Sequence, residues 1–566
     1  MAETTKAAEP KPTTATQVAP PGAVPAPLVK LTIDGREVEV PKGTNVIQAA
    51  AKLGILIPHY CYHPRLSVAG NCRMCLMEMG MPKMKPDKTP EVGPDGKPVI
   101  MMIPRPQIAC ATTVAPGMVV KTDTPSVKQM QQGVLEFLLI NHPLDCPICD
   151  QAGECRLQEF SVQFGQGESR FIDEKVKKPK KVQIGPRITL DDERCILCSR
   201  CVRFMKEVAK DDVLGFTQRG SFTTLTCWPG KKLDSNYSLN TADICPVGAL
   251  TSDDFRFQMR VWFLKETKSI CTSCATGCNT VVGSREGVMY RYLPRDNEDV
   301  NKSWMCDSGR LNYKWINRED RLTHPTKLLN LKQEKIEWPR AIYEIADSLK
   351  NAEKGSVGFI GSARATNEEL FLFKQLAKHF DAPTDVVPRM GEADKILLSA
   401  DKNPNMNGAK LAGVAGETPG SKLQPMADVI NAGKITHLVV LGENIVKYGI
   451  PAETLQKLKL LVVIDILPSV TTKLAHYVLP GVAHVEKRGT FTNGKGRVQK
   501  VYPAWMAKGE AREEWLTLNE LLVAVGVKID LYKSLEQVWG DMAKHIPAFR
   551  GLSISKIPEN GVQIQI

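Results

Sequence analysis

The sequence predicts a multidomain chain, α+β in its N-terminal part and α/β in its C-terminal part. Three observations carry that expectation. Two short alternating strands around a turn, followed by a helix, begin at residue 28. Fifteen of the sixteen cysteines fall into four groups, all before residue 307. Beyond residue 320, apolar runs alternate with helix-like segments. A chain of 566 residues has room for on the order of three or more domains.

Residues 1–27 are rich in Ala, Pro and Thr and read as a disordered tail. They have neither the apolar stretch of an export signal nor the arginines of a transit peptide. Val29–Ile33 and Glu37–Val40 then alternate around a hairpin turn at Asp34-Gly35. Asn45 can cap a helix carrying Val46, Ala49, Ala50 and Leu53. That order opens a β-grasp fold. Residues 81–106, rich in Pro, Lys and Gly, read as a long excursion between strands. Val127, Met130, Val134, Leu135 and Leu138 are spaced as on a helix over 126–140.

In the C-terminal part Ala341–Leu349 is amphipathic, Val357–Ile360 is a short apolar run, and Asn367 can cap a helix reaching Phe380. His437–Leu441 and Leu460–Leu467 read as further buried strands. The alternation implies a mostly parallel sheet with both faces covered. No GxGxxG motif follows any of these strands, so dinucleotide binding has no support here.

The cysteines carry the chemistry. An unexported chain keeps its thiols reduced, so groups of them read as metal ligands rather than disulfides. Iron–sulfur clusters take four protein ligands each. The first group is Cys61, Cys72 and Cys75, closed by the distant Cys110; Gly70 permits close backbone approach, and the β-grasp context implies [2Fe–2S]. The second has only Cys146, Cys149 and Cys155, and the nearest other donor is His142, which makes it the candidate fourth ligand of a four-iron cluster. The third, Cys195, Cys198 and Cys201, has the spacing of a bacterial ferredoxin, with Cys245-Pro246 supplying the last ligand. The fourth, Cys271, Cys274, Cys278 and Cys306, suits either a four-iron cluster or a structural zinc ion. Cys227 is left over and reads as a buried structural thiol.

Composition narrows the classes further. The chain is 43% apolar and 24% charged, ordinary for a globular protein, and no apolar stretch reaches the roughly 18–20 residues that cross a bilayer. Net charge is +12, with a lysine-rich run from Lys175 through Lys177, Lys178, Lys180 and Lys181 to Arg187. No aromatic residues interleave it as a base-stacking surface requires, so it reads as a solvated linker or a rim facing an acidic partner, with no nucleic acid expected.

Together the motifs resemble the large iron–sulfur subunits of NADH–quinone oxidoreductase, from the peripheral arm of respiratory complex I. The likeness rests on Pro58–Pro64, Gly70–Cys75, Ala109–Thr113, Asn141–Pro147 and Arg194–Arg203, and covers about residues 28–320. It implies a [2Fe–2S] ferredoxin-type domain at 28–124, a [4Fe–4S] segment ligated by one His and three Cys at 125–165, a bacterial-ferredoxin-like [4Fe–4S] domain at 188–260 and a further [4Fe–4S] domain at 264–320. The fourth cluster occurs in only some members and looks to lie off their main electron path.

Residues 321–566 resemble, more weakly, a truncated molybdopterin-oxidoreductase fold through Val478–Gly481, Glu486–Asn493 and Gly496–Val498. No cysteine follows Cys306 to ligate molybdenum, and the region is short, so a degenerate scaffold without molybdopterin is expected.

The resemblance implies an electron-transfer subunit of a proton-translocating NADH dehydrogenase, with no substrate-converting residue of its own. Electrons would arrive from a flavin- and NADH-binding subunit and leave to quinone-side iron–sulfur subunits. Its expected place is peripheral, on the cytoplasmic side of a bacterial inner membrane, touching the membrane only through the complex. Two other classes stay open. A subunit of an NAD-linked formate dehydrogenase or hydrogenase would share the first three cluster modules, although a hydrogenase needs further downstream cysteines. A zinc-stabilised interaction scaffold would carry no redox chemistry.

Overall fold

The computed structural model describes residues 26–528 and 531–566, so the expected N-terminal tail lies, up to residue 25, outside the described residues. The chain forms two compact units, Met1–Trp262 and Phe263–Ile566.

In the first unit, Leu28–Ile33 and Arg36–Pro41 pair antiparallel. Asp34 and Gly35 turn between them at φ +49° and +77°, the left-handed values that a two-residue hairpin turn needs. The helix Val46–Lys52 starts at Asn45, whose side chain accepts from the Gln48 N–H while Gln48 reciprocates. Leu28–Ile33 also runs parallel to Val119–Lys121, which pairs antiparallel to Leu76–Pro82. Leu31, Ile33, Val40, Ala49 and Val120 fill the core between sheet and helix. The excursion at 81–106 carries isolated bridges at Met84–Pro90 and Val92–Pro98, then returns to the sheet through Ile100–Met102. The helix Pro125–Leu139 follows, capped by Thr124.

After the helix Arg156–Phe164 and the strand Val182–Gln183, this unit runs in the order strand, helix, strand, strand, helix, strand: Ile188–Leu190, Arg200–Glu207, Leu214–Thr217, Thr224–Cys227, Asn240–Ile244 and Leu250–Ser252. The first and last strands pair antiparallel, Leu190 opposite Leu250. That pairing draws the segment around Cys195 towards Cys245. Cys227 ends a strand half-buried, its thiol donating to the Ile184 carbonyl at 3.4 Å.

The lysine-rich run departs from the linker expectation. Lys180 Nζ lies 2.8 Å from Asp145, 3.1 Å from Asp191 and 2.8 Å from Glu193. Lys178 faces Asp192 at 3.5 Å. Lys175 donates to the carbonyls of Leu139 and Ile140 at the end of the helix Pro125–Leu139, where a cation meets both unpaired acceptors and the negative end of the helix dipole. Local sequence could not show this, because the acidic partners come from residues up to 35 positions away.

The second unit opens with the meander Lys265–Ile270, Asn279–Arg285 and Val288–Pro294. Its main sheet runs in the order Lys332–Lys335, Thr326–Leu329, Tyr477–Pro480, Leu460–Asp465, His437–Leu441, Val357–Gly361, Thr384–Val386. The last five are parallel. Alternate residues serve two cores: Val439 and Val462 pack with helices Trp338–Lys350, Asn367–His379, Glu514–Ala524 and Leu535–His545, whereas Val440 and Val463 pack with Leu423–Asn431. Both faces are covered, which is why these strands read as unbroken apolar runs. The helix Asn367–His379 is capped by Thr366, one residue before the expected Asn367, and Glu369 completes the capping box. Asn367 instead donates its side-chain amide to Thr490 at 2.9 Å.

Candidate metal centres

The first group converges where the β-grasp sheet meets its loops. Cys75 directly precedes the strand Leu76–Pro82, and Cys110 follows Gln107–Ile108, which pairs with it. Cys61 and Cys72 come from the strand-free, helix-free stretch between the helix Val46–Lys52 and the strand Leu76–Pro82. The thiols of Cys72 and Cys110 interact with that of Cys61, and Cys110 also with Cys75, so the four side chains lie together. The Cys61 N–H adds a bond to the Cys72 sulfur at 3.4 Å. Gly70, at φ +64°, turns the chain ahead of Cys72, and a Cβ there would stand 3.0 Å from Ile108.

The third group lines an enclosed cavity. Cys195, Cys198, Cys201 and Cys245 share it with the apolar side chains of Phe216, Leu225, Val247 and Leu250. Leu197 and Ser199 take left-handed φ values of +54° and +60°, which coil the Cys195–Cys201 segment around the space. The Leu197 N–H bonds the Cys195 sulfur at 3.4 Å. Burial pushes all four thiols up, Cys245 to about 12, although the N–H groups of Val247, Leu250 and Ala249 pull back on Cys245. Thiolates are costly in so apolar a pocket without a cation between them, and a bound metal reverses that preference outright.

In the second group Cys149 and Cys155 are buried and Cys146 is exposed. Cys155 sits at the start of the helix Arg156–Phe164, its thiol pushed up to about 11 by burial and then by Cys149 and Cys146. Burial and the charge of Arg194 hold His142 down at about 4, so it is a neutral imidazole at neutral pH, the form that ligates metal. Among the described residues it makes no hydrogen bond to the three thiols.

The fourth group belongs to the second unit. Cys271 and Cys278 flank the turn between the first two meander strands, and the Cys271 N–H donates to the Cys278 carbonyl at 2.8 Å. Cys306 begins the short helix Asp307–Leu311, its sulfur accepting from the Gly309 N–H at 3.4 Å. A Cβ on Gly309 would stand 3.1 Å from both the Cys271 and Cys306 sulfurs, so glycine here leaves the space between them open. Burial pushes Cys271 up to about 12 and raises Cys278 and Cys306. Among the described residues, no set of three or more His, Cys, Asp or Glu closes on one point as a single metal ion requires.

The first three groups are neighbours, which spacing in the sequence could not show. One buried core holds Cys61, Cys155 and Cys198 with Tyr60, Met74, Leu135, Phe160 and Val247. The wall between the second and third groups is the backbone after Cys245. There the Cys155 thiol reaches the Pro246 carbonyl at 3.9 Å, and a Cβ on Gly248 would stand 2.3 Å from the Cys149 sulfur. Between the first and third groups, the Asn71 amide donates to the Leu197 carbonyl at 3.1 Å, and Arg203 donates to the carbonyls of both Cys61 and Cys198. Tyr60 is fully buried, its hydroxyl unpartnered, and the charges of Cys155 and Cys72 act on it. Arg200, buried in the same region, falls to about 10 through burial and remains a cation at neutral pH. Tyr60 and Arg200 lie within the motifs Pro58–Pro64 and Arg194–Arg203, but their surroundings, like those of Gly248, show only in the fold.

Family models match the chain along most of its length. They are a 2Fe-2S iron-sulfur cluster binding domain at residues 26–125, the NADH-ubiquinone oxidoreductase-G iron-sulfur binding region at 131–170, the ferredoxin-like domain of NADH-quinone oxidoreductase subunit 3 at 185–251, a NuoG-like 4Fe-4S domain at 264–314 and molybdopterin oxidoreductase at 400–524. The chain is similar to the G-type subunit of NADH-quinone oxidoreductase. That protein from Rickettsia bellii is 42% identical over 347 residues, 61% of this chain and 48% of the relative. From Streptomyces coelicolor it is 40% identical over 357 residues, 62% of this chain and 40% of the relative. The 75 kDa subunit of NADH-ubiquinone oxidoreductase from Reclinomonas americana is 41% identical over 389 residues, 67% of this chain and 53% of the relative. The chain therefore spans about half the length of the relatives it matches. A solved chain of an NAD+-reducing [NiFe]-hydrogenase is 28% identical over 41% of this chain and 91% of its own, with a TM-score of 0.34. The resemblance to the large iron–sulfur subunits of NADH-quinone oxidoreductase thus stands, and with it the 2Fe-2S and 4Fe-4S binding domains. No helix among the described residues is long and apolar enough to cross a membrane.

Proposed function

We propose that this chain is an electron-transfer subunit of an NADH–quinone oxidoreductase, passing single electrons from a flavin- and NADH-binding subunit towards quinone-side iron–sulfur subunits. The observation that carries the reading is the shared core of the first unit, in which ligand-type cysteines of three groups meet. Single electrons cross protein only over short gaps, and a common buried wall keeps such gaps short and dry.

The ligand sets are Cys61, Cys72, Cys75 and Cys110 for a [2Fe–2S] cluster, and three further sets for [4Fe–4S] clusters. These are His142 with Cys146, Cys149 and Cys155; Cys195, Cys198, Cys201 and Cys245; and Cys271, Cys274, Cys278 and Cys306. When bound, such clusters supply reversible one-electron chemistry. The protein's part is to hold spacing, exclude water and place N–H donors on the sulfurs, as Cys61, Leu197 and Gly309 do. The segments 28–124, 125–165, 188–260 and 264–320 are the corresponding cluster domains, and 321–566 is a molybdopterin-oxidoreductase-like scaffold without its cofactor. The place of work is the cytoplasmic side of a bacterial inner membrane, within the complex.

The test is anaerobic purification and reconstitution, followed by iron and sulfide assay and an EPR-monitored redox titration. The expected outcome is about 14 iron atoms per chain, from one binuclear and three four-iron centres. A colourless chain holding zinc would defeat the reading, and stoichiometric molybdenum or tungsten would favour a formate dehydrogenase. His142→Cys should keep a four-iron centre with altered potential. Unchanged iron and EPR in both His142→Cys and His142→Ala would remove His142 from the ligand set.

A further inference from the structure

Arg200 is a buried cation with no acidic partner. Its guanidinium lies in the interior of the first unit, and among the described residues no carboxylate stands within ion-pair distance of it. Nη1 donates to the Ile244 carbonyl at 3.2 Å, Nη2 donates to the Tyr62 carbonyl, and Nε has no partner. Ile244 directly precedes Cys245, and Tyr62 directly follows Cys61. One side chain therefore ties the backbone of the third ligand group to that of the first. The ionisable groups that act on it most are Cys198, Arg156, Cys245 and Cys72, and His59 and His63 also face it. Arg156 is half-buried and makes no ion pair, its Nη1 lying 3.4 Å from the His59 ring nitrogen.

A lone guanidinium in an apolar core is expensive unless an anion lies beside it in the working protein. Four thiolates around iron and sulfide carry net negative charge, and taking up an electron makes that charge larger by one. A fixed cation tied to the backbone of two such centres stabilises the reduced form of both.

We propose that Arg200 is the shared counter-charge and positioning residue of the first and third cluster sites, raising the reduction potentials of both together. The inference rests on the electron-transfer reading above. Each centre gains one electron, supplied by dithionite in the test, and no bond is made or broken.

The experiment is an EPR-monitored redox titration of the full reconstituted chain, comparing wild type with R200M, R200Q and R200K, with iron content measured for each. A wild type without iron or cluster signals would defeat the electron-transfer reading itself, before any variant is compared. Given a loaded wild type, R200M and R200Q are expected to make reduction of the binuclear centre and of the third-group centre each at least about tenfold less favourable, equivalent to about 59 mV for one electron. The fourth-group centre should stay put. R200K keeps the charge and should hold both potentials within about threefold of wild type on the same scale. Where the neutral variants lose iron instead, simultaneous loss of the first- and third-group signals, with both retained in R200K, supports the shared role. A neutral variant with full iron and either potential unmoved overturns the proposal. So does loss of only one of the two signals, or an iron-replete R200K whose potentials fall as far as those of R200M.

Discussion

The two units differ in what stands beside some of their inward-facing cations. In the second unit three such cations meet carboxylates: Arg321 meets Glu486 at 2.5 Å, Arg389 meets Glu443, and Lys487 meets both Glu369 at 2.8 Å and Glu514 at 3.0 Å. In the first unit Arg194 is met likewise by Asp145 and Asp191, but beside the ligand groups buried Arg200 and half-buried Arg156 have no carboxylate, the Tyr60 hydroxyl has no partner, and buried thiols of three groups crowd together. Buried polar groups left unpaired are costly. On the proposed reading, these ionic sets of the second unit are closed by protein, whereas the unpaired groups beside the first unit's thiols are closed by what those thiols hold.

The largest expected effect follows from withholding iron. Hydrogen exchange on the iron-free chain should show the segments around Cys61–Cys75, Cys146–Cys155 and Cys195–Cys201 losing protection, because metal binding is coupled to folding of such sites. The strands Val357–Gly361, His437–Leu441 and Leu460–Asp465 should keep theirs, since no proposed ligand lies on them. Equal loss of protection in both regions would break the contrast.

Next in size is Lys487→Met. It leaves Glu369 and Glu514 facing each other in the second unit's interior, and removing one member of a buried ionic set costs about 3–5 kcal/mol. Glu514 is already held up at about 8, chiefly by burial. A carboxyl whose folded pKa lies above its unfolded value favours folding while protonated, so its contribution is lost as pH rises through the folded value. The variant should thus be weakest above pH 8 and recover towards pH 5 in denaturant titrations, with the cluster signals of the first unit unchanged. A variant as stable as wild type at pH 8 would show that the ionic set is not what completes this unit.

What the sequence made legible was local. The hairpin at Asp34-Gly35, the Asn45 cap and the alternation of buried strands with helices each depend on a few neighbouring residues, and the structure has them. The four cysteine groups were visible through spacing alone. Hidden was everything set by long loops: that Cys155 packs on Pro246, that Asn71 reaches Leu197, and that Lys180 collects three carboxylates instead of crossing open solvent. The one-residue error at the helix cap has the same origin. Thr366 and Asn367 are both good caps locally, and the second is drawn away by Thr490, which is 123 residues distant.

A smaller effect is expected from Gly248→Ala, which probes the wall between the second and third groups. The added methyl would meet the Cys149 sulfur at 2.3 Å, and the next atoms of Gln151 stand at 3.2 Å. Cys149 must move, at a cost of about 1–3 kcal/mol for an overpacked core. The second-group signal should weaken or vanish while the binuclear signal survives. Gly433→Ala is a control with open space around it, although its φ of +71° adds strain, so it tests whether mere backbone strain elsewhere perturbs the clusters. If Gly248→Ala leaves iron and every signal intact, Cys149 is free to move and the wall is not a fixed one.

The smallest effect belongs to Tyr60→Phe, and it is the finest test of the contrast. The ring packs against Phe160 at 5.5 Å and loses nothing in the change, so packing and iron content should stay as they are. Only the buried hydroxyl goes. In a unit completed by its clusters, that hydroxyl donates to a sulfur of the centre held by Cys155 or by Cys72, the two thiols whose charges act on it. Hydrogen bonds to cluster sulfurs raise the potential. One neutral donor should therefore matter less than a full charge: a downward shift of less than about 59 mV, a factor below ten in the reduction equilibrium. The shift should fall on one centre, unlike the paired shift expected for Arg200. Potentials identical to wild type would mean the hydroxyl meets no acceptor even in the loaded protein. Its burial would then be a defect the fold tolerates, and the first unit would be less fully completed by its clusters than its unpaired groups imply.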